Sequence, residues 1–118
     1  MALSLGNITF DCDNAAELAG FYAQLFERPV DDGATEFFAT IDNGAATPTL
    51  MFIKVPDKNP GKNVVHLDLH SPDQQAEIAK AVALGAKHLA DFDEYGVKWA
   101  TLSDPEGNLF DIAQDQPN

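Results

Sequence analysis

Polar side chains that could bind a metal ion or a polar ligand recur at alternate positions in three strand-like segments. The set comprises Asn7, Thr9, Asp11, His66, Asp68, His70 and Asp111. Because successive side chains of a strand point to opposite faces of a sheet, the members within each segment share one face. Imidazole and carboxylate groups suit Zn, Ni, Fe, Mn or Co, and they are poor ligands for Cu(I) or an iron–sulfur cluster. Taken singly, a strand histidine is more often a hydrogen-bonded structural residue than a ligand, and the whole set could be solvated surface residues.

The residues between these polar positions are apolar and predict a second face that is covered by helices. They are Ile8, Phe10, Cys12, Leu67, Leu69, Phe110 and Ile112. A sheet with helices on one face leaves the other face polar, covered or used for function. Cys12 is therefore expected in the core, where apolar surroundings make a thiol unreactive.

Two amphipathic helices are predicted, one after each opening strand. The first spans Asn14–Arg28, where Asn14 caps the start and Glu17 completes a capping box. The second spans Pro72–Leu84, with Ser71 as its cap. Its inward residues are expected to be small and aliphatic, and to include Ala76, Ala79, Val82 and Ala83.

The order of strand, helix and further strands occurs twice. The remaining strand-like segments are Thr35–Ile41, Thr49–Val55, Val97–Ser103 and the weaker Leu89–Phe92. A sharp turn, Asp104–Asn108, precedes the last strand, Leu109–Ala113. The pattern predicts a single domain of two modules, about 1–56 and about 64–114, which a linker at about 57–63 joins.

Composition limits the function classes. The chain has 118 residues, of which 19 are acidic and 7 basic, so its formal net charge is −12. This excess leaves no electrostatic basis for binding phosphate backbones, and nucleic-acid binding is not expected. No apolar run approaches the roughly 18 residues that span a bilayer, so no membrane association is expected. A single cysteine cannot form an internal disulfide, which suits a cytoplasmic location.

Several motifs, in this order and spacing, resemble the vicinal oxygen chelate superfamily, which includes glyoxalase I, extradiol dioxygenases and the bleomycin-resistance proteins. They are the helix start Asn14…Phe21-Tyr22, His66 at the opening of the second module, Leu84-Gly85-Ala86, and Asp104-Pro105-Glu106-Gly107-Asn108-Leu109-Phe110-Asp111. The resemblance covers nearly the whole chain. It implies an α+β, glyoxalase-like fold in which two βαβββ modules form a curved mixed sheet with an open cleft. It also implies a homodimer.

The resemblance further implies a metal site, with one ligand from the first strand and one from the last strand of each module. His66 and Asp111 occupy these positions in the second module, although the usual acid there is the longer Glu. In the first module, Asn7 stands where His or Gln is common. Ile53, which cannot bind a metal, stands where Glu is common. The implied site is therefore incomplete and would bind a metal weakly unless Asp68, Asp11 or a substrate contributes. Glyoxalase I activity is not expected because its set of four ligands is missing.

Two functions follow from these residues. In the first, His66 and Asp111 hold a divalent metal that polarises two adjacent oxygens of a substrate and stabilises an enediolate-like intermediate. His70 or Asp68 is then the candidate general base of a lyase or isomerase reaction.

In the second function, the cleft binds a small molecule without turning it over, as metal-free family members that sequester antibiotics do. Acidic side chains would attract a cationic ligand, and Trp99 would stack against it. The candidate contacts in the first module are Asn7, Thr9 and Asp11. For Trp99, a core position between strands is the alternative.

Overall fold

The computed structural model describes residues 5, 7–44, 48–57, 63, 65–94 and 96–115. The chain divides into two compact units, Met1–Lys58 (the first unit) and Asn59–Asn118 (the second unit). Most of the predicted linker, residues 58–62, lies outside the described residues. Neither of the two helices in the described ranges is long and apolar enough to cross a membrane.

The first unit contains a three-stranded mixed sheet and one helix. Its elements are β1 (Asn7–Cys12), α1 (Ala15–Phe26), β2 (Phe38–Ile41) and β3 (Thr49–Lys54). Strand β3 is central, pairing in parallel with β1 and antiparallel with β2. Parallel neighbours need a crossover connection, and α1 supplies it.

Local sequence explains why α1 begins and ends where it does. The Asn14 side chain accepts a hydrogen bond from the Glu17 backbone N–H at 3.1 Å, as predicted for the cap. The helix ends at Phe26, two residues before the predicted end, because Glu27 adopts the left-handed conformation with φ 56°. This conformation lets the Arg28 N–H bond the Ala23 carbonyl at 2.8 Å and closes the last turn.

Aromatic packing against α1 forms the core of the first unit. Tyr22 lies with its ring centroid 5.0 Å from Phe10 and 5.9 Å from Phe52. Cys12 is fully buried, as predicted, and its thiol donates to the Ile53 carbonyl at 3.4 Å. The polar alternate positions of β1 are left on the opposite face.

The second unit contains a four-stranded mixed sheet and one helix. Its elements are β4 (Leu67–Ser71), α2 (Gln74–Ala83), β5 (Lys87–Glu94), β6 (Val97–Ser103) and β7 (Leu109–Gln114). The strand order is β4-β7-β6-β5, with β4 and β7 parallel and the other pairs antiparallel. The weak strand predicted at Leu89–Phe92 is a full edge strand of eight residues, with a register shift between His88 and Ala90.

The α+β class and the mixed sheets are confirmed, but the two units differ within the described residues. The second has the predicted βαβββ order, whereas the first has only two strands after its helix. The segment at 28–34, where a further strand would lie, makes one backbone bond to β2, from the Asp31 N–H to the Thr40 carbonyl at 2.9 Å. Pro29 lacks an N–H, and Gly33 has φ 94°, so this segment cannot continue a ladder.

Helix α2 presents a different face from the predicted one. Its cap is Asp73, which accepts from the Ala76 N–H at 3.2 Å, and not Ser71. The buried residues are Gln74, Ile78 and Ala81. The residues predicted to face inward, Ala76, Ala79, Val82 and Ala83, are exposed.

A buried polar anchor explains this rotation of α2. The Gln74 side chain donates to the Ile112 carbonyl at 2.9 Å, and its backbone N–H bonds the Gln114 side chain at 3.0 Å. Because Gln74 is fixed to β7 in this way, positions four and seven residues later turn toward the sheet. Apolar periodicity alone does not reveal a glutamine as the inward anchor.

The turn before β7 is held by one buried carboxylate. Asp104 accepts from the backbone N–H groups of Glu106 and Asn108 and from the Asn108 side chain, at 2.8, 3.0 and 2.9 Å. Gly107 has φ 90°, which favours glycine. This turn sets where β7 begins and therefore the strand position of Asp111.

Asp31 holds the irregular segment of the first unit to β2. Its side chain accepts from the Thr40 hydroxyl at 2.7 Å and from the Asn43 N–H at 2.9 Å. These two bonds, the Thr40 bond first, lower the pKa of Asp31 below its ordinary value. Both donors favour the ionised form of the carboxyl group.

The lowered pKa of Asp31 predicts a pH dependence of stability. The stabilisation by its carboxylate is fully present above the unfolded pKa of about 3.9 and is lost as the pH falls through the lower folded pKa. We expect the free energy of unfolding to fall less steeply below about pH 4 in Asp31→Asn than in the wild type. Urea unfolding between neutral and acidic pH measures this difference. Asp32→Asn, at an exposed neighbouring position, is the control, and equal slopes for Asp31→Asn and wild type would contradict the assignment.

Candidate functional site

Three polar residues of the second unit lie side by side on neighbouring strands. Asp68 of β4 pairs in register with Asp111 of β7, and Asp111 pairs with Thr101 of β6. All three side chains point to the face opposite α2, because Phe110 and Ile112, the buried neighbours of Asp111, occupy the helix side. The parity predicted from the sequence therefore holds for β7.

His66 completes this group from a position just before β4. The predicted strand began at Val64, which lies outside the described residues, whereas β4 begins at Leu67. His66 Nε2 lies 3.1 Å from Asp68 Oδ1 and 3.5 Å from Asp111 Oδ2. One ligand atom from each of His66, Asp68 and Asp111 lies within 4.8 Å of the others, and we call these three residues the triad.

The donor atoms of the triad fit a divalent metal. Metal–ligand bonds of about 2.0–2.2 Å place neighbouring ligand atoms of a tetrahedral or octahedral site about 3–3.5 Å apart. The distances from His66 Nε2 to the two carboxylates, 3.1 and 3.5 Å, fall in this range, and all three ligand atoms lie within 4.8 Å of one another. One imidazole and two carboxylates form a nitrogen and oxygen set, which suits Zn, Mn, Fe, Co or Ni.

The three residues differ in exposure, and this difference separates their roles. The side chain of Asp111 is 18% exposed, that of His66 is 42% exposed, and that of Asp68 is 76% exposed. Asp111 is further fixed by the Thr101 hydroxyl, which donates to its Oδ1 at 2.7 Å. Oδ2 of Asp111 is thereby directed toward His66, so Asp111 is the ordered member and Asp68 the adaptable one.

Thr101 was missed by the sequence reasoning. The predicted strand Val97–Ser103 contains it, and alternation places it on the polar face. What the sequence does not give is the register that brings Thr101 beside Asp111. A threonine cross-strand from a candidate ligand becomes recognisable only after the strand pairing is known.

His70, a predicted general base, contacts a residue that the prediction did not include. Its Nδ1 lies 2.8 Å from Asp115 Oδ1, just beyond the end of β7. The ring is 77% exposed and belongs to the same strand face as Asp68. His70 thus lies two residues after Asp68 on the same strand face, but its imidazole contacts a different carboxylate, that of Asp115.

Trp99 lies on β6 and stacks on Phe92 of β5. The two residues are directly opposite in the antiparallel register, with ring centroids 5.0 Å apart and planes at 15°. Trp99 is half-buried and Phe92 is exposed. Trp99 is therefore not enclosed in the core, and the pair forms an aromatic surface at the edge of the sheet.

The remaining predicted contacts belong to the first unit. Asn7, Thr9 and Asp11 are all exposed and share one face of β1. Asp11 pairs in register with Ile53 of β3, so a carboxylate lies beside the position where the resemblance implies a Glu. These three residues lie outside the triad, whose members all come from the second unit.

Comparison with known proteins identifies the family. The family profile of the glyoxalase-like domain matches residues 7–113, which is most of the chain. The chain therefore belongs to the glyoxalase-like domain family. No curated protein sequence matches the chain significantly.

Solved structures share the fold at low sequence identity. A glyoxalase/bleomycin resistance protein/dioxygenase family enzyme from Burkholderia phytofirmans has a TM-score of 0.78 and 20% identity, covering 95% of this chain and 98% of its own. The fosfomycin resistance protein FosX from Listeria monocytogenes has a TM-score of 0.76 and 12% identity, over 98% and 96%. The antibiotic-binding protein TnmS3 from Streptomyces has a TM-score of 0.69 and 18% identity, over 98% and 99%. At these identities the similarity shows the fold.

Proposed function

We propose that this protein binds a divalent metal through the triad and uses it to act on a small molecule with two adjacent oxygens, as a lyase or isomerase. The observation that supports this proposal is the convergence of three ligand atoms from His66, Asp68 and Asp111 within 4.8 Å. The metals that suit this set are Zn, Mn, Fe, Co and Ni. The homodimer and the cytoplasmic location that the sequence led us to expect remain predictions.

In this proposal, Asp68 takes the place of the ligand that the first module lacks. Ile53 offers no donor atom, and Asn7 offers only a neutral amide oxygen. Asp68, in contrast, brings a carboxylate oxygen to 3.1 Å from the His66 imidazole. A site of this kind is complete within one unit except for positions left to water and substrate, and open positions are what a catalytic metal site needs.

The residues of the site have different proposed roles. When bound, the metal would act as a Lewis acid toward the two adjacent substrate oxygens. Asp111, oriented by Thr101, would fix the position of the metal, and His66 would supply a neutral imidazole nitrogen. His70 is the proposed general base, because an N–H donated from Nδ1 to Asp115 leaves Nε2 free to accept a substrate proton.

Metal binding by matched histidine variants tests the proposal. We expect one equivalent of Zn²⁺ or Mn²⁺ to bind the wild type in calorimetry, and His66→Ala or Asp111→Asn to weaken binding at least about tenfold. The control is His88→Ala, because the His88 imidazole also contacts an aspartate, Asp91 at 2.7 Å, but lies outside the triad. Metal content and affinity that are the same in His66→Ala and wild type would refute the site.

Thr101 gives a second test that leaves all three ligands in place. Thr101→Val keeps the side-chain shape but removes the hydroxyl that orients Asp111, so we expect metal affinity to fall about tenfold. Thr101→Ser restores a hydroxyl and should recover most of that loss. Thermal unfolding of the metal-free variants separates this effect from a loss of stability. Equal affinity in Thr101→Val and wild type would show that Asp111 needs no such support.

The second candidate function is sequestration of a cationic small molecule without catalysis. The stacked pair of Phe92 and Trp99 favours it, because the pair presents an aromatic surface on the face that also carries Asp68 and Asp111. The similarity in fold to an antibiotic-binding protein is consistent with it. This function predicts that metal-free protein binds bleomycin, a cationic glycopeptide, and that Asp68→Ala weakens the binding in calorimetry. Binding that requires metal would exclude it.

A further inference from the structure

A row of side chains parallel to the triad contains a gap between two rings. Strand register aligns His70 of β4, Ala113 of β7, Trp99 of β6 and Phe92 of β5 across the whole sheet. Ala113 is therefore a single methyl group between an imidazole on one side and an indole on the other. It is half-buried, and it lies on the face that also carries Asp111.

The width of this gap suits one planar ring. Adjacent strands are about 4.8 Å apart, so His70 and Trp99, which are two strands apart, are separated by about 10 Å. A flat ring between two others needs van der Waals contacts of about 3.5–4 Å on each side, or about 7–8 Å in total. A ring lying over Ala113 therefore fits between the two side chains without displacing the sheet.

Both walls of the gap have a contact partner within the second unit. Phe92 stacks on Trp99 at 5.0 Å on the side away from Ala113. Asp115 contacts His70 Nδ1 at 2.8 Å and draws this ring toward the end of β7, away from the row that contains Asp111. Walls that are already ordered need little rearrangement when a ligand binds, which favours binding of a flat group.

The gap is also close enough to the triad for one ligand to contact both. Ala113 follows Asp111 by two residues on β7, and alternate strand positions are about 7 Å apart. A single ring over Ala113 would thus place substituents on one edge near the Asp111 oxygens. The charged strand residues nearest Ala113 on this face, Asp68 and Asp111, are acidic, and the basic Lys87 lies two rows away beside Ser103, which disfavours ligands carrying further anionic groups.

We infer that Ala113, with His70 and Trp99 as walls, forms a slot for the planar aromatic ring of a ligand whose two adjacent oxygens meet the triad. This inference rests on the proposed function for the oxygens, but the slot itself does not require the metal. It assigns the substrate class as a compact, uncharged or singly ionisable aromatic chelator. Ala113 determines the specificity, because any larger side chain there would fill the slot.

The chain's single tryptophan makes the slot observable. The probes are tropolone, a planar ring with two adjacent oxygens, and acetohydroxamic acid, which has the oxygens without the ring. We expect tropolone to shift the indole N–H resonance of Trp99 in Zn²⁺-loaded protein. It should also bind at least about tenfold more tightly than acetohydroxamic acid, because only tropolone has a ring that can stack on the indole. An indole resonance that tropolone leaves in place would overturn the slot.

Two alanine variants make the test specific. Ala113→Leu should bind Zn²⁺ like the wild type, which also shows that it is folded, but lose the preference for tropolone. Ala79→Leu adds the same bulk on the exposed face of α2 and should leave both properties unchanged. A preference for tropolone that survives in Ala113→Leu would overturn the inference.

The same titration without metal separates the two proposals. If the wild type binds neither Zn²⁺ nor Mn²⁺, the proposed function fails. An indole shift with tropolone that disappears in Ala113→Leu would then still support the slot. Absence of that shift in metal-free and Zn²⁺-treated protein alike would overturn the slot whatever the metal result.

Discussion

The in-register pairing of β4 with β7 is the constraint on which the candidate site depends. It sets Asp68 directly beside Asp111 on one face of the sheet. Parallel pairing at this register requires the crossover through α2, whose anchor Gln74 is bonded to β7 itself. A slip by one residue would turn Asp111 into the core and bring an apolar neighbour to the surface. The fold of the second unit and its chemistry are therefore fixed by the same hydrogen-bond ladder.

Two carboxylates held side by side repel each other, and the structure offsets this repulsion only in part. Asp111 receives the Thr101 hydroxyl, and the His66 imidazole lies between the two acids. A neutral imidazole compensates little charge, whereas a divalent cation compensates both carboxylates. This electrostatic imbalance supports the proposal that the triad binds a cation.

The sequence predicts the strand faces well because alternation is a local property. Cys12, Phe110 and Ile112 are buried as predicted, and Asp111 lies opposite them. The pairing of strands is not local, and it decides the parts that sequence reasoning missed. Thr101 became relevant only through its register with Asp111.

The failures in the helices and in the first unit have equally physical causes. The buried face of α2 follows a hydrogen-bonded glutamine, and a pattern of apolar residues cannot show such an anchor. In its described residues, the first unit has one strand fewer than the resemblance implied, because Pro29 and Gly33 interrupt the segment at 28–34. The order of predicted elements does not reveal such an interruption, because it depends on the backbone geometry of Pro29 and Gly33. For the site, residue types were enough to propose His66 and Asp111, but not to show that Asp68 joins them.

Strand β5 forms one edge of its sheet, and its irregularity has a consequence for behaviour at high concentration. The register shift between His88 and Ala90 bends the free row of N–H and C=O groups out of line. The part of β5 beyond this shift carries three acidic residues, Asp91, Asp93 and Glu94. If a second copy of β5 paired with it in antiparallel orientation, the acidic residues of the two strands would lie opposite one another. Like charges in opposing positions destabilise such pairing. The edge is thus protected from fibrillar self-association, even though Leu89 and Phe92 leave apolar surface there.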